Sequence, residues 1–186
     1  MDKPALLIID MSQDFFRVGR LHELRVNLSR SINELVSHFR KGKLPIIWVR
    51  QEFEPDLSDA FLSMRRDGTR ITIKGTGGEL LLPELDFHKD DFVVIKKRYS
   101  AFFQTNLDEI LSKLNPSHLV LAGVNTHACI RIAAVDAFQR DYQVIVADSC
   151  VNSYDLGFHQ DSKRYLEGRV ANFLPNSEII EKFAIR

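Results

Sequence analysis

The chain reads as an α/β protein, a doubly wound and mostly parallel sheet with helices on both faces, and three observations predict it. Short runs that are apolar nearly throughout recur at residues 5–9, 45–49, 92–95, 119–122 and 144–147, the pattern of strands buried on both faces. Apolar residues at helical spacing fill several of the stretches between them. Strand and helix therefore alternate along the chain, and right-handed crossovers would lay the helices on both sides of one sheet.

The elements follow in order. The first strand, 5–9, ends at Asp10, and Asp14, Phe15 and Phe16 follow in a loop. Leu28, Ile32, Leu35, Val36 and Phe39 share one helical face, with Asn27 as N-cap and Gly42 as the residue just past the end. The second strand is 45–49. Residues 50–91 show weak periodicity, scattered glycines and a basic set of Arg65, Arg66, Arg70 and Lys74. That predicts loops with one short helix near 57–64, a lid or an interface element. Lys74-Gly75-Thr76-Gly77-Gly78 lacks the Gly-Lys-Ser/Thr ending of a phosphate loop and is set aside. The third strand, 92–95, runs into Lys96. Thr105 with Asp108 opens a helix bearing Leu107, Ile110, Leu111 and Leu114, which Pro116 stops. The fourth strand, 119–122, feeds Gly123-Val124-Asn125-Thr126-His127-Ala128-Cys129 and a helix. The fifth, 144–147, ends near Asp148 and Cys150, a last helix is expected over 158–173, and 179–180 add a short final strand.

At 186 residues the chain fits one domain, 1–186, large enough for a core without metal or disulfide support. Twenty-five basic side chains balance twenty-five acidic ones, so no general field draws the protein to nucleic acid or an anionic membrane. The opening apolar run is too short for a signal segment or a membrane span, which suggests a cytoplasmic protein. Cys129 and Cys150 stand in no CxxC or Cys/His spacing, so neither a zinc knuckle nor a thioredoxin motif is expected.

Three reactive groups, Asp10, Lys96 and Cys129, each fall at or just after the carboxyl end of an expected central strand. In a parallel sheet those ends share one rim, where ligands bind. A carboxylate can accept the thiol proton, a lysine can stabilise charge, and a cysteine can attack a carbonyl. Cys129 would sit in the first turn of a helix, whose free N–H groups favour a thiolate and can donate to an oxyanion. A cysteine facing a core from a helix is also an ordinary packing residue; the convergence of three groups is what argues for catalysis. Phe15, Trp48, Tyr99 and Phe102 are candidates for the pocket wall, and Arg50 and Arg70 for pairing with a substrate carboxylate. His159, near the start of the last helix, is within reach of the rim, but its position fits a surface or capping histidine better.

Ile8-Ile9-Asp10-Met11 with Asp14-Phe15, Lys96-Lys97-Arg98-Tyr99-Ser100-Ala101-Phe102 with Thr105, and 123–129 together resemble the isochorismatase-like cysteine hydrolase superfamily. The resemblance implies a sheet of about six strands, a homo-oligomer such as a dimer or tetramer, and a triad of Asp10, Lys96 and Cys129. It further implies a cis peptide before Asn125 and an oxyanion hole from the N–H groups of Asn125 and Cys129. Zinc-binding nicotinamidases of that superfamily carry an Asp-x-His pair after the second strand, where this chain has Arg50-Gln51-Glu52-Phe53-Glu54. No metal and no cofactor are therefore expected. Retention of the cysteine, which isochorismate-cleaving members often lack, points to a small polar amide, ureido or carbamoyl substrate and a thioester intermediate. The alternatives are a vinyl-ether or ester hydrolase using Asp10 alone, a binding protein on the same fold, and a redox sensor pairing Cys129 with Cys150.

Overall fold

The computed structural model describes residues 3–185. Six strands form one parallel sheet in the order β3-β2-β1-β4-β5-β6. They are β1 (Pro4–Ile9), β2 (Ile46–Gln51), β3 (Phe92–Lys96), β4 (His118–Val124), β5 (Gln143–Asn152) and β6 (Asn172–Leu174). The helices are α1 (Gly19–Lys41), α2 (Leu62–Asp67), α3 (Leu107–Leu114), α4 (Arg131–Phe138), α5 (Leu156–Leu166) and α6 (Asn176–Lys182). Among the described residues no helix is long and apolar enough to cross a membrane.

Every residue of β1 and β4 is buried, as two-sided burial requires. Period-two alternation splits them between two cores. Ala5, Leu7 and Ile9 join Ile47, Val49 and Val94 beneath α3 and α4. Leu6, Ile8 and Trp48 face the other way, against Leu28, Ile32, Leu35 and Phe39 of α1 and Ile179 of α6. The residues between β2 and β3 build a third, smaller cluster from Phe53, Leu57, Ala60, Met64 and Ile73. This stretch is tied across the carboxyl end of β1, where Gln13 N–H donates to Leu80 O at 2.9 Å and Leu82 N–H to Met11 O at 2.9 Å.

Several expectations need correction. The helix placed from Asn27 starts at Gly19, so Asn27 lies in its interior. Leu21 is buried and Leu24 packs on the same core one turn apart, extending the stripe backwards. Gly42 does close α1, but with φ −77; the left-handed residue is Lys43, at φ 54. The short helix expected near 57–64 is α2, and Leu57 and Ala60 precede it as packing residues. β3 is an edge strand rather than a central one. β5 continues past Asp148, because a register shift opposite Leu121 to Gly123 absorbs extra residues, and this places Cys150 inside the strand. The helix expected to reach Phe173 stops at Leu166. There Gly168 takes φ 69 and the Leu166 carbonyl accepts from Arg169, Val170 and Ala171 N–H. Phe173 then belongs to β6, and 179–180, expected as a strand, lie in α6.

Candidate active site

The carboxyl ends of β1, β3 and β4 bring together the three reactive groups. Asp10 follows β1 directly; its N–H still donates to Val49 O at 2.8 Å, but its φ of 55 breaks the strand there. Lys96 closes β3 and is fully buried. Cys129 stands in a π-type turn, Thr126–Ile130, that joins β4 to α4, so it precedes the regular helix rather than opening it. The peptide between Val124 and Asn125 is cis. Beyond it, Ala128 and Ile130 N–H both donate to Asn125 O, at 3.1 and 3.2 Å, and flank the cysteine. Gly123 makes the close approach of β4 to β1 possible. It takes φ 113, and a Cβ there would lie 1.9 Å from Ile9 O, so no other residue fits beside the strand that carries Asp10.

The ammonium of Lys96 spends its three protons at this junction. Its Nζ lies 2.7 Å from Asp10 Oδ2, 3.1 Å from Arg98 O and 3.4 Å from Cys129 Sγ. Asp10 and Cys129 are 1% and 5% exposed, so the set is nearly sealed from solvent. Asp10 Oδ1 makes no ion pair among the described residues, leaving acceptor capacity in a buried carboxylate. Burial pulls the Lys96 pKa down, while Asp10 and then Cys129 pull it up; the net is raised, and the side chain is charged at neutral pH. Burial, and then the charge of Asp10, push the Cys129 thiol up to about 12 against the opposing pull of Lys96. That corrects the expectation of a resting thiolate. Desolvation outweighs the cation and the turn's N–H groups, so the sulfur rests as a thiol.

Of the residues expected in the pocket wall, Trp48 is fully buried in the core beneath α1, its indole N–H donating to Asp91 Oδ2 at 2.9 Å. It faces away from the triad and has no surface to offer a ligand. Phe15 packs on that same core. Arg50 also lies out of alternation with Val49; it pairs with Glu52 at 3.1 Å and donates to Glu79 O. Arg70 is exposed and donates to Pro55 O at 2.9 Å. Tyr99 is half exposed against Phe61, ring centroids 4.9 Å apart. Phe102 is on the triad side, but buried in that core, with the Arg140 guanidinium 4.4 Å from its ring centroid. His159 reaches Thr126 in the turn that carries Cys129, at 2.9 Å.

Gln51 was missed. It pairs in register with Lys96 across β2 and β3, and is 5% exposed. It shares the face of Ile47 and Val49, and its amide has no hydrogen-bond partner among the described residues. An amide on the strand beside the lysine is equipped to meet a polar ligand. Period-two counting from Val49 finds it; choosing Arg50 was a slip of one residue, which turns a side chain to the other face. The described residues hold no group of three or more His, Cys, Asp or Glu arranged to bind a metal ion.

Residues 4–177 match the family model described as Isochorismatase domain. The chain belongs to the isochorismatase family. Within it, a probable inactive nicotinamidase of Arabidopsis thaliana is 35% identical over 145 residues, 74% of each protein. The crystal structure of an isochorismatase family protein from Desulfovibrio vulgaris subsp. vulgaris str. Hildenborough superposes with a TM-score of 0.90 at 26% identity, over 99% of this chain and 100% of that one. N-carbamoylsarcosine amidase from Thermoplasma acidophilum gives 0.77 at 28% identity, over 93% and 96%. The six-stranded α/β architecture is thus the family's fold, and the chain is a hydrolase of that family.

Proposed function

We propose that this hydrolase cleaves the C–N bond of a small polar amide, ureido or carbamoyl compound through a thioester on Cys129. One observation carries the reading: a single buried ammonium touches both the carboxylate of Asp10 and the sulfur of Cys129, at 2.7 and 3.4 Å. A structural cysteine has no need of a charged pair in a sealed site, since burying such a pair costs several kcal/mol per ion, in order of magnitude. The relative that is an N-carbamoylsarcosine amidase supports the substrate class.

The steps follow from the protonation states. Cys129 gives its proton to Asp10 as the sulfur's electron pair forms a bond to the substrate carbonyl carbon. Proton transfer and attack are coupled because a thiol pushed up to about 12 does not ionise beforehand at pH 7. The carbonyl oxygen takes the displaced pair as an oxyanion, which the backbone N–H groups of Asn125 and Cys129 are proposed to hold. Collapse of the tetrahedral adduct expels the nitrogen, which leaves as ammonia or an amine after taking the proton from Asp10. Water, deprotonated by Asp10, then attacks the thioester, releasing the acid and returning the proton to sulfur. Lys96 stays charged and keeps Asp10 and Cys129 at fixed distance. Gln51 is proposed to hydrogen-bond the substrate's polar end.

The test is ammonia release from a panel of small amides and ureido acids, N-carbamoylsarcosine and nicotinamide among them. Wild type should turn over at least one member, and Cys129→Ala should lose at least about a thousandfold in kcat. Full retention by Cys129→Ala would sink the covalent route.

A further inference from the structure

We propose that the segment from Ser153 to His159 is a clamp on the nucleophile's turn, and that His159 is its positioning residue. The inference rests on the cysteine-hydrolase reading only for its catalytic consequence; the geometry stands by itself. The three residues that follow the cis peptide are each held from this segment. Tyr154 N–H donates to Asn125 Oδ1 at 3.1 Å. His159 Nδ1 lies 2.9 Å from Thr126 Oγ1. His127 N–H donates to Ser153 Oγ at 3.3 Å, and its Nδ1 lies 2.9 Å from the same oxygen.

Burial gives these contacts their value. Thr126 and Ser153 are fully buried, so neither hydroxyl can exchange its partner for bulk water. The rings of Tyr154 and Phe158 add packing on His127, centroids 4.9 and 5.2 Å away. The segment is itself anchored at both ends. Asp155 caps α5 by accepting from Phe158 N–H at 2.8 Å, and Lys163 ties α5 to β5 through Asp148 at 2.6 Å. Burial first, and Lys163 next, hold His159 below the ordinary histidine value, so the ring is neutral at pH 7 and offers one donor and one acceptor nitrogen.

The turn needs such support. A π-type turn is a rare single-turn geometry, and its sulfur must stay in reach of Lys96 and Asp10. Misplacing a reacting group by about 1 Å can cost about a hundredfold in rate. His159 contacts neither the thiol nor the lysine in any hydrogen bond; it acts through Thr126.

The experiment combines amide hydrogen exchange over residues 126–130 with ammonia-release kinetics, for wild type, His159→Ala and His159→Asn, the last restoring a polar group near the Nδ1 position. His159→Ala should speed exchange at Ala128 and Ile130 about tenfold, the size expected for one buried hydrogen bond, with β1 unchanged. It should lower kcat about tenfold with KM within about twofold, and His159→Asn should recover most of both effects. Unchanged exchange in the turn, faster exchange spread evenly over the sheet, or no recovery with asparagine would each overturn the clamp. Should His159→Ala fail to fold, Thr126→Val removes the same hydrogen bond from the other side and must show the same local signature. If wild type releases no ammonia from any compound, the amidase reading fails, while the exchange measurement still decides the clamp.

Discussion

Replacing Lys96 with methionine removes the one positive charge at the junction while keeping a long apolar stem. Asp10 would then be a carboxylate 1% exposed to solvent with no counter-charge among the described residues. Breaking a buried ion pair from one side typically costs about 3–5 kcal/mol, a large part of the roughly 5–15 kcal/mol that holds a domain together. For a chain of this size each kcal/mol moves the Tm by about 2–4 °C, so Lys96→Met should melt roughly 6–20 °C below wild type. Urea unfolding followed by circular dichroism gives the free energy directly, through a lower midpoint at unchanged slope. The double variant Asp10→Asn/Lys96→Met should recover part of the loss, because an apolar and neutral pair no longer buries a lone charge. A Lys96→Met midpoint indistinguishable from wild type would refute the argument: the carboxylate would then be solvated in solution, and the sealed junction would not exist.

Gly123→Ala should abolish soluble folded protein, since the new methyl meets a backbone oxygen at 1.9 Å and a left-side φ of 113 at once; soluble yield and far-ultraviolet circular dichroism check it. Both buried thiols are raised to about 12, above the roughly 8.5 of an unfolded chain. Their stabilising contribution is complete below about pH 8.5 and is progressively lost as pH rises from there toward about 12. The urea midpoint should therefore fall between pH 8 and 10.5, and fall less steeply in Cys150→Ala. Gln51→Leu should raise KM about tenfold with the Tm unchanged; a lower Tm with unchanged KM would make Gln51 structural. Size-exclusion chromatography with light scattering should give a dimer or tetramer, as exposed Tyr154, Leu156, Phe158 and Tyr165 on and beside α5 suggest.

What could be read from the sequence follows from where physical signals are local. Two-sided burial makes β1, β2, β4 and the start of β5 continuous apolar runs, so those strands and the position of Asp10 were legible. Spatial order has no such signal. Nothing local marks β3 as an edge strand, since Lys96 is covered by the site rather than by another strand. Helical spacing from Tyr165 to Phe173 continued across Gly168 by coincidence, and the turn there, set by backbone bonds to Leu166 O, hid β6. Trp48 was misplaced for a related reason: an aromatic near the rim in sequence is assigned to a face only by its phase along the strand, and Trp48 has the wrong phase. The thiol's state was misread because a turn's N–H groups are visible in a sequence pattern, while the degree of burial that outweighs them is not.

The most direct measurement of the central claim is ammonia release by wild type, Asp10→Asn, Cys129→Ala and the double variant. If carboxylate, ammonium and sulfur act as one unit, each single variant should lose at least about a thousandfold in kcat and the double variant no more than the worse single. Losses that multiply, or turnover that survives without the sulfur, would contradict it.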